Sequence, residues 1–129
     1  MLGGVRVHHV AVVVADLATA ERFYAGVLGL PVERRWSDDS GAPRSVWLRL
    51  DGDARLMLER ADRAGARRVD GAPGWHCVAL AIEPEAREAW RTALAASGFP
   101  PHAETAHTLY VRDPDGNVVA LSDYPLAPG

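Results

Sequence analysis

The stretch "RVHHVAVVVA", residues 6–15, returns downstream as "GWHCVALAIE", residues 74–83, with Cys77 standing where the first copy has His9. Each is an apolar, largely β-branched run entered through a histidine, the pattern of a strand with a buried face. After the first run Asp16 offers an N-cap, residues from Ala18 through Phe23 and Tyr24 to Leu28 suit a helix, and Gly29 ends it. Strand-like runs follow at Pro31 to Trp36, Arg44 to Leu50 and Ala54 to Arg60, separated by "SDDSGAP" and "DGD". The order repeats after the second run: a helix over 84–97 with Pro84 in its first turn and Gly98 closing it, then strands near 100–105, 107–113 and 117–124. "HHVAVVV" lies over "HCVALAI", and "LGLPV" over "SGFPP". Two copies of one β-α-β-β-β module are implied, over 5–60 and 74–124, joined by the charged, glycine-bearing linker 61–73. A four-stranded module of this size cannot bury its sheet alone, so the two are expected to form a single domain.

The chain has 129 residues, of which 48% are hydrophobic, enough for one ordinary core. The net charge is -3 and the 14 basic residues are scattered, so nucleic acid is not an expected partner. The longest apolar run, Val10 to Ala15, is too short to span a bilayer, and the first residues lack a secretory pattern, so a cytoplasmic protein is expected. One cysteine excludes an internal disulfide and a multi-cysteine zinc framework.

"HHVAVVVADLATAERFYAGVLGLPVE" together with "VRDPDGNVVALSD" resembles the vicinal oxygen chelate superfamily, which includes glyoxalase I, extradiol dioxygenases and the fosfomycin and bleomycin resistance proteins. The likeness runs over about residues 5–124. It implies an α+β fold in which two βαβββ modules form an incompletely closed eight-stranded barrel-like sheet, usually completed as a homodimer, around a small-molecule cavity. Within the motif, Asp113-Pro114-Asp115-Gly116 has turn chemistry, with proline pre-setting φ and glycine taking a left-handed position. That reads as scaffold and not as a catalytic aspartate pair.

Metal-using members of the superfamily take one ligand from the first and last strand of each module. Carried onto this chain, those positions fall on His9, Met57 (with Glu59 two residues on), Cys77 and Ala120, so one of four family-type ligands remains. Strand alternation places His9 with Ala11, and Cys77 with Ala79, on a small-residue face that would line the cavity, while Val10, Val12 and Val14 pack under the helices. Such a wall suits an organic ligand better than a hydrated cation. No cofactor is therefore expected and a divalent metal is disfavoured. Three alternatives stay open: a weak metal site rebuilt from His9 and Glu59, a soft copper site from His9, Met57 and Cys77, and a thiol–imidazole pair of Cys77 with His9.

Trp36 and Trp47 sit on middle strands, where they either stack on a flat ligand or pack in the core. Tyr110 and Arg112 share a strand face and would offer a hydroxyl and a guanidinium, the latter suited to an anion. Alternation sends His76 to the face opposite Cys77, and His102 and His107 read as solvated loop histidines. The cavity set is thus His9, Ala11, Trp47, Met57, Glu59, Cys77, Ala79, Tyr110, Arg112 and Ala120. Two functions compete: a metal-free protein that sequesters a hydrophobic or aromatic small molecule, and an enzyme (isomerase, lyase or dioxygenase) with His9 or Glu59 as base or with a rebuilt metal.

Overall fold

Valine packing decides the first strand, β1 (His9–Val14), in a computed structural model that describes residues 2–65 and 70–126. Val14 is buried and Val10 and Val12 are half-buried, whereas His9, Ala11 and Val13 are exposed, the alternation expected of a sheet covered on one face. The strand does not reach back to Val5. Val5 and Val7 are exposed and bury nothing that would hold an extended backbone in place.

Asp16 caps the following helix α1 (Leu17–Glu21) through its Oδ2, which accepts from Thr19 N at 2.8 Å and from the Thr19 hydroxyl at 2.6 Å. The helix then widens into a π-helical stretch, Arg22–Val27, where Leu28 N–H reaches the Phe23 carbonyl five residues back. Gly29, at φ 77°, ends it in a left-handed turn. Leu17, Ala20, Phe23 and Tyr24 are its buried face, and α1 packs on β3 and β4, whose buried side chains include Val46, Leu48, Leu56 and Leu58. Burial of each such large side chain contributes about 1.5–3 kcal/mol.

The remaining strands of the first unit are β2 (Val32–Ser37), β3 (Pro43–Arg49) and β4 (Arg55–Arg60). They form a sheet in the order β1-β4-β3-β2, in which β1 runs parallel to β4 and the other pairs are antiparallel. The second unit repeats this order as β5-β8-β7-β6, from β5 (Val78–Ala81), β6 (Ala103–Glu104), β7 (Thr108–Arg112) and β8 (Val118–Ser122). Its helix α2 (Arg87–Ala96) follows a 3₁₀ turn at Pro84–Ala86 and closes with Phe99 N–H on the Leu94 carbonyl and Gly98 at φ 88°. The fold is thus α+β, two β-α-β-β-β modules each with a four-stranded mixed sheet. The chain divides into compact units over 1–65 and 66–129, the division falling within the stretch expected as linker, of which residues 66–69 lie outside the described ones. Among the described residues no helix is long and apolar enough to cross a membrane.

The DPDG turn shows why aspartate opens it. Asp113 is buried, and its carboxylate accepts from Asp115 N, Asn117 N and Asn117 Nδ2 at 2.8–2.9 Å, knitting the β7–β8 turn shut. Gly116 takes φ 87° in the same turn.

Candidate functional site

Register across each sheet decides which side chains share a face, because residues directly paired on neighbouring strands point the same way. On the face of the first sheet opposite α1, one row runs Ala11, Met57, Trp47, Arg34 and the next runs Val13, Glu59, Ser45, Trp36. His9 lies in the row of Arg55 and Arg49. Met57 is therefore one row from His9 and Glu59 two rows, the latter a displacement of about 13 Å along the strands. A shared ion holds its donors only about 2 Å from itself, so His9 and Glu59 are poorly placed to rebuild a site together.

The same face brings aromatics together. Trp36 and Trp47 have ring centroids 5.3 Å apart, tilted by 55°, and the Arg34 guanidinium carbon sits 3.9 Å over the Trp36 ring. Met57 is buried beside Trp47 while Glu59 is half-buried beside Ser45. Ser45 and Arg34 escaped the sequence reading. The parity of β3 would have found Ser45, since it stands two residues before Trp47 and so on the same face.

The second sheet repeats the geometry with smaller residues. Ala79, Ala120, Tyr110 and Ala103 make one row, in the places that Ala11, Met57, Trp47 and Arg34 hold in the first. Ala120 is buried and carries no donor atom. Cys77 precedes β5 by one residue and is half-buried, and desolvation pushes its thiol pKa up. That is the opposite of the shift a nucleophilic thiolate needs.

Two expectations for this unit change. The strand begins at Val78, so alternation does not extend back to His76, and its ring lies 5.8 Å from that of Tyr110, on the side assigned to the cavity. His102 stays exposed, as expected of a loop histidine, though its ring lies 6.5 Å from that of Tyr110 and partial desolvation, followed by the nearby Arg112, lowers its pKa. His107 is not simply solvated: its Nδ1 stands 2.7 Å from Asp123 Oδ1, and Tyr124 packs edge-on against its ring. Arg112 is already engaged, with Nη1 donating to the Gly116 carbonyl at 3.2 Å and Nη2 paired with Asp70. The guanidinium in turn holds the Asp70 carboxyl below the usual range. A cavity of 170 Å³ opens here, lined by Asp70, His76, Gly116 and Val118 among others. It is smaller than the roughly 300 Å³ at which sites for drug-sized molecules begin.

The four positions that the family likeness assigns to metal thus hold one imidazole, one buried thioether, one thiol of raised pKa and one methyl group. Such a set does not fit a hard or borderline divalent ion, which is held by three or more imidazole, carboxylate or thiolate donors.

Comparison with known proteins agrees with this architecture. The family described as Glyoxalase/Bleomycin resistance protein/Dioxygenase superfamily matches residues 6–121. Among solved structures, a lactoylglutathione lyase from Agrobacterium tumefaciens is 26% identical, with a TM-score of 0.66 over 91% of this chain and 92% of that one. A glyoxalase family protein from Enterococcus faecalis is 24% identical, TM-score 0.72, over 91% and 96%. A point mutant of the genomically encoded fosfomycin resistance protein FosX from Listeria monocytogenes, complexed with Mn(II) and 1S,2S-dihydroxypropylphosphonic acid, is 16% identical, TM-score 0.75, over 98% and 96%, a likeness of fold alone. Curated proteins gave no match.

Proposed function

Since the chain belongs to the Glyoxalase/Bleomycin resistance protein/Dioxygenase superfamily, we propose that it is a metal-independent member that binds a hydrophobic or aromatic small molecule, in the manner of sequestration or resistance. One observation carries this reading: the matched positions Met57 and Ala120 lie in equivalent rows of the two sheets and neither offers a carboxylate. Removing those charges leaves apolar walls of Ala11 and Met57 in one sheet and Ala79 and Ala120 in the other. Apolar walls with a few polar groups are what organic ligands select. Glu59 does not restore the loss, being two rows from His9. The working form is taken to be a homodimer, supported by the apolar side chains that a lone chain leaves in water, Trp75 among them, and a cytoplasmic location is part of the same proposal.

The test is metal content. Protein purified without tag or chelator, incubated with Zn, Mn, Ni, Fe(II) and Cu and then desalted, is expected to retain each at background. Near-stoichiometric retention of one ion, with activity that chelation abolishes, would sink the proposal and restore the enzymatic alternative.

A further inference from the structure

Three buried polar atoms in the first unit have no hydrogen-bond partner among the described residues: Trp36 Nε1, Ser45 Oγ and Trp47 Nε1. All three belong to the same sheet face. Ser45 is paired with Trp36 across β2–β3, and Trp47 is two residues from Ser45 along β3. Folded proteins rarely leave such groups unsatisfied, because each buried polar group without a partner costs desolvation that nothing returns. A cluster of three on one face is therefore informative. An indole N–H is a donor only, so two of the three can be satisfied solely by an acceptor.

Resting on the small-molecule reading above, we propose that this face recognises a flat, neutral ring system by its carbonyl-type oxygens, which accept hydrogen bonds from Trp36, Trp47 and Ser45. The indoles themselves set the shape of the contact. Their centroids are 5.3 Å apart, and a ring inserted between two others needs about 7 Å, so the ligand does not enter between them; the N–H groups are covered in the structure, and the side chains over them shift aside as the ligand's oxygen-bearing edge binds. Arg34 is stacked on Trp36 and fixes that ring against rotation. Glu59 lies directly across from Ser45, with no partner among the described residues, so a carboxylate bound at Ser45 would meet a like charge. Neutral oxygens are selected for that reason. Met57, next to Trp47, supplies the adaptable apolar floor.

Three bicyclic probes of similar outline separate the terms: coumarin, with a lactone carbonyl; naphthalene, with no acceptor; and 2-naphthoate, with an anionic one. Each is titrated into ¹⁵N-labelled protein while the indole N–H signals of the four tryptophans are followed. Trp36→Phe and Trp47→Phe assign two of those signals, and the rest of each spectrum reports whether the variant is folded. Coumarin is expected to move the Trp36 and Trp47 signals downfield and to bind at least tenfold more tightly than naphthalene. Ser45→Ala and Trp47→Phe should each weaken it about three- to tenfold, the loss of one neutral hydrogen bond. Equal affinity for coumarin and naphthalene, tighter binding of 2-naphthoate, unchanged affinity in both variants, or no binding by any probe would each overturn the inference. If organic probes bind elsewhere while these two signals stay still, the small-molecule reading survives without it, whereas stoichiometric metal would remove that reading itself.

Discussion

Cys77 shows how far a single exchange of side chain can be followed. It stands where the first copy of the repeat has His9, and a thiol there invites a nucleophilic role. Burial raises its pKa, so the protonated form dominates at neutral pH. Alkylation by iodoacetamide at pH 7 should be slower than that of a free cysteine peptide, and the rate should climb only above the ordinary thiol range. A faster rate than the peptide at pH 7 would mean that an activating imidazole or positive charge acts on Cys77. Sequence named the position and the residue, but the sign of the shift comes from packing. His76 was misplaced for a related reason: alternation is a property of paired backbone, and pairing begins at Val78. Asp70 and its grip on Arg112 were not legible, since 42 residues separate the partners and neither carries a local motif.

The elements themselves were largely legible, because local chemistry set their ends. Asp16 and Gly29 bracket the first helix, Gly98 closes the second, and Asp113 organises its turn, each through backbone groups within a few residues. The π-helical turn at Arg22–Val27 left no such mark, since its residues suit an α-helix equally well. Gly29 offers a clean test of the terminus. It holds φ 77°, and a Cβ there would meet nothing within 4 Å, so the cost of a side chain is conformational and not steric. Gly29→Ala should destabilise the protein by about 1–2 kcal/mol, and Gly29→Asn by less, because asparagine tolerates the left-handed region better. Urea denaturation of the two variants measures the difference. Equal loss in both would mean that contacts, and not backbone conformation, fix the end of this helix. The strand boundaries were expected too long at β1 and β5, where apolar residues run on past the point at which anything covers them: Val7 and Trp75 are both exposed.

At the scale of the whole molecule, arginine–carboxylate pairs reach across strands, or from strand to helix or loop, within each unit. Arg55 joins Glu33, Arg60 joins Asp38 and Arg35 joins Glu21 in the first, while Arg91 and Arg87 share Glu104 in the second. Every one of these carboxylates has its pKa lowered: Asp38 by the Ser40 hydroxyl first and Arg60 next, Glu33 by Arg55, Glu21 by Arg35 and Glu104 by Arg91. A carboxylate that binds its proton less readily folded than unfolded contributes stability that is complete above its unfolded pKa, near 4, and is lost as pH falls through the folded value. His102 acts with the same sign but earlier and weakly, because partial desolvation of this exposed ring lowers its pKa from 6.5 and an unfolded chain takes up that proton first. The denaturation midpoint should therefore be level between about pH 7 and 8, sag slightly as pH drops past 6.5, and fall more steeply below 4. His102→Phe should remove the shallow part alone, and Asp38→Ala should blunt the steep part. These pairs are at least partly exposed, so 0.5 M salt should soften the steep limb by screening. A midpoint that rises on acidification would require groups that bind their proton more tightly in the folded than in the unfolded chain, against the direction of each group named.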